Sequence, residues 1–366
     1  MGLLRTLLAL SVVFDHAWPD GAVLVGGQIA VQCFYIMSGF LISYILVERR
    51  SYASLRAFYI NRYLRLYPIY FVVAILSLVA ILATHRTGFE GVYEAAPIGA
   101  IILLIFANAT LFGMDWVMFF GVRNHRLVFV TNFADSDVPL FQGQIIHPAW
   151  TLGVELTFYL VAPFVLPRRR LICLLLILSV VLRLYFVDLG FGTHDPWTYR
   201  FFPTELALFL FGALAHQVLL PVCKEFSSRG QILGANSGTL FLILLCAVYS
   251  LIPVDEIYKR VFLLLAFGCV VPLAFLFQLR HRFDGWIGNL SYPIYICHTL
   301  VLWICTFILK HIGVADQRVL AILCAVLSIA FAICLNWLVG APFESIRSRW
   351  RSRGQPTERV GAKTDI

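Results

Sequence analysis

Arg5 and His16 lie in the first apolar segment of the chain, Leu3 to Ala17, with ten residues between them and Asp15 directly before the histidine. An imidazole titrates near neutral pH and suits the removal of a proton from a hydroxyl, so His16 is the leading candidate for a general base. On a helix, eleven steps at 1.5 Å set it about 16 Å along the axis from Arg5, roughly half of a hydrocarbon core about 30 Å thick. An arginine held at one membrane face would therefore carry a titratable ring to mid-membrane. Asp15 and His16, being adjacent, point in different directions on a helix, so the group that orients the ring is expected on another helix.

Further polar residues stand where a merely spanning helix has no need of them. In YINRYLRLYPIY, Tyr59 to Tyr70, Arg62 and Arg65 share one helical face; with Arg56 they form a cationic surface suited to phosphates, and Pro68 suits the first turn of the next span. Glu155 sits about two turns into the apolar run HPAWTLGVELTFYLVAP, where an ionisable group is costly; it either pairs with an arginine or stabilises the bundle, or it serves the acceptor site or orients His16. Trp150 suits a membrane interface or a sugar-stacking surface. Tyr292, Tyr295 and His298 recur every three residues in LSYPIYICH, on one side of a helix. His298 and His216 also fit structural hydrogen-bonding roles. In CFYIMSGFLIS, Ser38 and Gly39 permit close helix approach, the commoner use of such a serine than as an acyl-carrying nucleophile.

These residues need a membrane frame. Of 366 residues, 60% are hydrophobic and 13% charged, the composition of a polytopic membrane protein. Apolar stretches of near-spanning length run at about 27–47, 66–84, 98–114, 149–166, 171–187, 202–220, 235–253, 261–279, 290–309 and 318–340; the opening segment, read as retained rather than as a cleaved signal, is added to them. The net charge of +8 does not call for nucleic acid, because the basic residues cluster in turns: Glu48 to Arg65, Arg168 to Arg170, Arg280 to Arg282 and Arg347 to Arg353. By the positive-inside rule these stay cytoplasmic. Arg168 to Arg170 read as anchors. For the first two clusters to share a side, an even number of crossings must separate them, and 98–114, with Asn108 and Thr110, is the segment expected to enter without crossing. The expected fold is all-α: a membrane domain over 1–342 with about ten full crossings, one re-entrant segment and both termini cytoplasmic, followed by a basic, disordered tail over 343–366. The nine cysteines, never spaced C-x-x-C, read as small hydrophobes, and no metal site is expected. The longest outer loop, about Asp115 to His147, is long enough to be functional.

Together LRTLLALSVVFDH, FYIMSGFLIS, NRYLRLYP, HPAWTLGVELTFYL and LSYPIYICH, in that order, resemble the membrane-bound acyltransferase family 3, the O-acyltransferases of bacterial surface glycans. The resemblance runs from Leu4 to about Pro342. It implies transfer of an acyl group, usually acetyl, from cytoplasmic acyl-CoA to a hydroxyl of a saccharide at or beyond the outer face of the bacterial inner membrane, with acyl-CoA as donor substrate and no bound cofactor. Arg5 and His16 then match the family's basic-x10-His pair, and Arg62 and Arg65 its R-x-x-R. Exopolysaccharide, lipopolysaccharide and an exported lipochitooligosaccharide of the nodulation type are the acceptors the resemblance brings forward. Direct attack on the thioester and a covalent acyl-histidine both remain open. The alternative class is an exporter of a small organic acid or glycolipid using buried His, Glu and Arg as a proton relay, although no inverted repeat is evident; a non-catalytic partner in glycan assembly is a third.

Overall fold

The computed structural model describes residues 1–21, 23–84, 87–133, 135–192 and 196–350. Fifteen α-helices are present among them: α1 (Gly2–Ala17), α2 (Gly26–Ser43), α3 (Leu55–Ala83), α4 (Thr87–Ala95), α5 (Ile98–Thr110), α6 (Trp150–Val165), α7 (Arg169–Phe186), α8 (Phe202–Leu214), α9 (Leu220–Glu225), α10 (Ser228–Val248), α11 (Glu256–Arg280), α12 (Arg282–Gly288), α13 (Ser291–His311), α14 (Gln317–Leu335) and α15 (Ala341–Ser348). A short antiparallel hairpin, β1 (Phe120–Arg123) and β2 (Arg126–Phe129), pairs Phe120 with Phe129 and Arg123 with Arg126. Asn124 and His125 at its tip both have positive φ, 48° and 57°, as a two-residue hairpin turn requires. Nine helical stretches among the described residues are long and apolar enough to cross a membrane. Helix α1, with 16 residues, spans about 24 Å and packs against α2, α13 and α14.

Every basic cluster gathers at one end of the bundle. Asn61 Nδ2 donates to Arg347 O at 2.8 Å, Lys224 pairs with Glu48 at 2.7 Å, Arg169 donates to Gln217 O at 3.0 Å and Arg280 to Gln231 at 3.1 Å. The amino end of α1 is held there too: Asp284, at the start of α12, accepts from Gly2 N at 2.7 Å and Leu3 N at 2.8 Å, filling donors that a helix start leaves open. His16 lies toward the opposite end, where α2 begins and α6 begins.

Helix α5 accounts for the parity of the crossings. Its 13 residues span about 20 Å, too short for a hydrocarbon core. Its last carbonyls, those of Asn108, Ala109 and Thr110, accept from Tyr70, Tyr67 and Tyr63 of α3. The chain then turns back, and Asp115 rests against Gly153 near the start of α6. The segment therefore enters and leaves by the histidine end, as the charge pattern required.

Two expectations need correction. Pro68 is not in the first turn of a span: α3 runs continuously through it. A helix surrounded by other helices tolerates the missing N–H, which takes the helical donor from Leu64 O; Tyr292 Oη packs beside this turn and donates to Leu66 O at 2.6 Å. Nor does the chain become a tail at 343, because α15 continues to Ser348 and Arg347 is buried against Asn61. The expected disorder beyond 350 lies outside the described residues.

Helices α2 and α8 approach each other closely. A Cβ built on Gly39 would lie 1.8 Å from Phe209 O, and one on Gly212 would lie 1.9 Å from Ile36 O. Only hydrogen fits at either point, so the two glycines let the backbones touch. In a membrane, where lipid is as apolar as a leucine side chain, such van der Waals contact is a main source of helix association.

Candidate functional site

Three cavities line up through the bundle. The one at the arginine end, about 440 Å³, is lined by Arg5, Arg65, Asn289, Tyr292, Asn336 and Arg347 among others. A narrow middle cavity of about 90 Å³ lies among α1, α2, α3, α6 and α13. At the histidine end a cavity of about 970 Å³ contains Asp15, His16, His147, Trp150, Arg183 and Arg260. Arg5, Arg65 and Tyr292 border both the first and the second; Val31 and Tyr295 border both the second and the third. Tyr295 is held at that joint by Thr151 Oγ1 at 3.0 Å and Pro148 O at 3.1 Å.

The hydrogen bond of the His16 ring is to its own helix, while a ring from another helix, His298 of α13, packs against it. Its Nδ1 lies 2.9 Å from Val12 O. A carbonyl only accepts, so Nδ1 carries the proton and Nε2 keeps the basic lone pair. The side chain folds back one turn toward the amino end, the direction helical side chains favour. His298 repeats the arrangement: Nδ1 is 2.6 Å from Tyr295 O, and its buried Nε2 has no partner among the described residues. The two rings meet edge to face with centroids 4.9 Å apart. Asp15 does not form a dyad with His16; its carboxylate lies against Gly26 and Gly27, at the positive end of the α2 dipole.

Arg5 and Arg65 face the middle and arginine-end cavities, and among the described residues neither side chain has a hydrogen bond or ion pair. Arg62 is buried in the wall of the middle cavity, donating to Tyr52 Oη and Asn61 Oδ1, both at 2.9 Å, with Nε unpartnered. Arg56 is exposed and borders none of the three cavities, so it stands apart from the other two. Glu155 opens onto the middle cavity beside these cations and accepts from Ser38 Oγ at 2.9 Å and from Tyr159 Oη. The cavity that contains His16 does not include Glu155. Ser38 is thus a partner of a carboxylate, while the close helix approach falls on Gly39.

Trp150 is buried, with Arg200 over its ring at 4.2 Å and Tyr199 edge-on at 4.8 Å. Its ring is engaged by protein and acts to hold Arg200 at the cavity wall. The reading of the residues passed over four side chains of this cavity region. Arg183 (α7) pairs with Glu205 (α8), Gln32 Nε2 (α2) donates to Glu205 Oε2 at 3.2 Å, and Arg260 (α11) donates to Gln32 Oε1 through Nε at 3.1 Å and Nη2 at 2.8 Å. The signal was present: an ionisable residue inside an apolar run marks function or a buried pair. His216, by contrast, is structural, set between Ser43 Oγ at 2.9 Å and Glu48 at 3.1 Å.

The architecture is that of a multi-pass membrane protein with an internal path between unpartnered arginines at one end and a histidine pair toward the other. The chain belongs to the membrane-bound acyltransferase family 3: residues 1–339 match the family model described as an acyltransferase domain. It is similar to Nodulation protein 10 of Rhizobium leguminosarum bv. viciae, with 30% identity over 46% of this chain and 44% of that protein. It is also similar to the peptidoglycan O-acetyltransferase OatA of Listeria monocytogenes, 24% identical over 84% of this chain and 50% of the relative. The putative peptidoglycan O-acetyltransferase YrhL of Bacillus subtilis is 26% identical over 83% and 48%. The chain thus spans about half the length of these three relatives. No solved structure matches it.

Proposed function

We propose that this protein is an O-acyltransferase that moves an acyl group, acetyl in the first instance, from acyl-CoA to a hydroxyl of a saccharide on the far side of a bacterial inner membrane. The observation that carries the reading is the continuity of the three cavities, with Arg5 and Arg65 at the first joint and Tyr295 at the second, leading to His16. The positive-inside rule makes the arginine end cytoplasmic, and both termini with it. Phosphates of the donor are held by Arg5 and Arg65, neither of which has a hydrogen bond or ion pair among the described residues, while Arg62 lines the middle cavity and Arg56 lies outside it.

The thioester arm extends through the middle cavity past Glu155, which balances the arginine charges. The acceptor occupies the histidine-end cavity. There His16 Nε2 takes the hydroxyl proton as the oxygen attacks the thioester carbonyl; a carbon–oxygen bond forms, the carbon–sulfur bond breaks, and the proton passes from His16 to the departing thiolate. His298 packs against the His16 ring and helps hold it. With Arg5 about 16 Å along the helix from His16, its role belongs to the donor's charged end and not to the reacting carbonyl. The similarity to a nodulation protein and to peptidoglycan O-acetyltransferases supports a glycan acceptor. The test compares surface glycans from cells with and without the protein by mass spectrometry. A shift equal to one acyl group is expected, and no shift in any glycan class would overturn the proposal.

A further inference from the structure

Two walls of the histidine-end cavity come from helices whose outer faces are exposed. One wall is Arg183, Leu184 and Val187, from α7 and the turn after it; the facing wall is Ile257, Arg260, Val261 and Leu264 of α11. Helix α7 packs chiefly on α8, and α11 on α10 and α2, which leaves a cleft between α7 and α11 with Gly27, Gln28 and Val31 of α2 beneath it. Leu184, Val187, Ile257 and Val261 at its rim are all at least half exposed, on a surface that faces lipid in a membrane.

The floor of this cleft carries an uneven distribution of charge. Glu205 is fully buried and is matched by Arg183. Gln32 turns its amide nitrogen to Glu205 and its oxygen to Arg260. Nε and Nη2 of Arg260 therefore converge on one neutral oxygen, and among the described residues no carboxylate pairs with this cation. Glu256, one turn away, is engaged by Lys259 at 2.9 Å and by Tyr249 Oη at 2.7 Å. An arginine at an apolar opening, with part of its N–H fork unused, suits a phosphate. Arg260 and Arg183 also lie near the histidine end of their helices, the level of lipid headgroups.

We infer that the cleft between α7 and α11 admits a saccharide carried on a lipid through phosphate: the hydrocarbon chain lies along the apolar rim, Arg260 with Arg183 holds the phosphate, and the sugar hydroxyls reach His16. This rests on the acyl-transfer reading for its chemistry and names the acceptor class of that same site.

The test uses the full-length protein in liposomes and one disaccharide presented three ways: on polyprenyl diphosphate, on a neutral alkyl chain, and free. The diphosphate form is expected to be acylated at least tenfold faster than the neutral alkyl form. Arg260→Gln should bring that ratio close to one, and Ile257→Trp, on the exposed rim, should slow both lipid-bearing acceptors relative to the free sugar. Leu244→Trp, on an exposed position of α10, should leave the ratios unchanged. Equal rates for the diphosphate and neutral alkyl forms, or a ratio that survives Arg260→Gln, would overturn the inference while leaving acyl transfer standing. A second readout needs no transfer: polyprenyl phosphate, but not polyprenol, should raise the melting temperature of the detergent-solubilised protein, and Arg260→Gln should abolish the rise. That rise without transfer to any acceptor would uphold the cleft and remove the acyl-transfer reading; no rise would count against the cleft.

Discussion

Asp115 offers a quantitative test of how the outer segment is packed over the site. It follows α5, lies outside the membrane-spanning helices, and is 2% exposed against Gly153 of α6, with Oδ1 unpartnered. Burial pushes its carboxyl up from 3.8 to about 7, against a partial counter-effect from the backbone N–H groups of Asp115 and Trp116. Below pH 3.8 the group is neutral whether the protein is folded or not, and it exerts no penalty. As pH rises from 4 to 7 the unfolded form loses its proton while the folded form keeps it, so stability falls and the loss is complete above pH 7. A shift of about 3 units corresponds to about 4 kcal/mol. Asp115→Asn keeps the site neutral at every pH. The variant should therefore gain on the native protein by up to about 4 kcal/mol between pH 4 and pH 8, read from denaturant unfolding in mixed micelles. Parallel pH profiles for the two proteins, or a variant that loses ground at pH 8, would refute the burial argument.

Two other substitutions probe packing and the donor end. Gly39→Leu forces a side chain into the Phe209 carbonyl, an overpacking cost of about 3 kcal/mol or more, and should lower the folded yield in membranes, whereas Gly91→Leu, with nothing within 4 Å, should not. Arg65→Gln removes a charge-assisted contact worth about 1.5–3 kcal/mol, so the apparent KM for acyl-CoA should rise about tenfold or more with a smaller change in kcat, checked by steady-state kinetics.

How far the residues announced this arrangement differs from element to element. The Arg5–His16 spacing was readable because one helix carries both, and so was the non-crossing α5, since the positions of basic residues constrain parity. The carbonyl of Val12 was not, because a backbone oxygen leaves no mark in a sequence. Gln32, Arg183, Glu205 and Arg260 come from four helices, and no spacing within one segment reveals that they meet. Arg56 shows the converse: near Arg62 in sequence, it is exposed and outside the cavities, since six residues along a helix is neither the same face nor the same depth. Tyr295 could be placed on a face with His298, yet its place at the joint of two cavities depends on Thr151 and Pro148 of a distant segment.

The central claim is that His16, held through Nδ1 by its own helix, accepts the hydroxyl proton at Nε2. The most direct measurement is the rate of acyl transfer by purified His16→Gln, with donor binding measured alongside. The account predicts a loss of about 10²- to 10⁴-fold in kcat with acyl-CoA affinity retained; a variant that keeps the native rate, or one that fails only because acyl-CoA no longer binds, would contradict it.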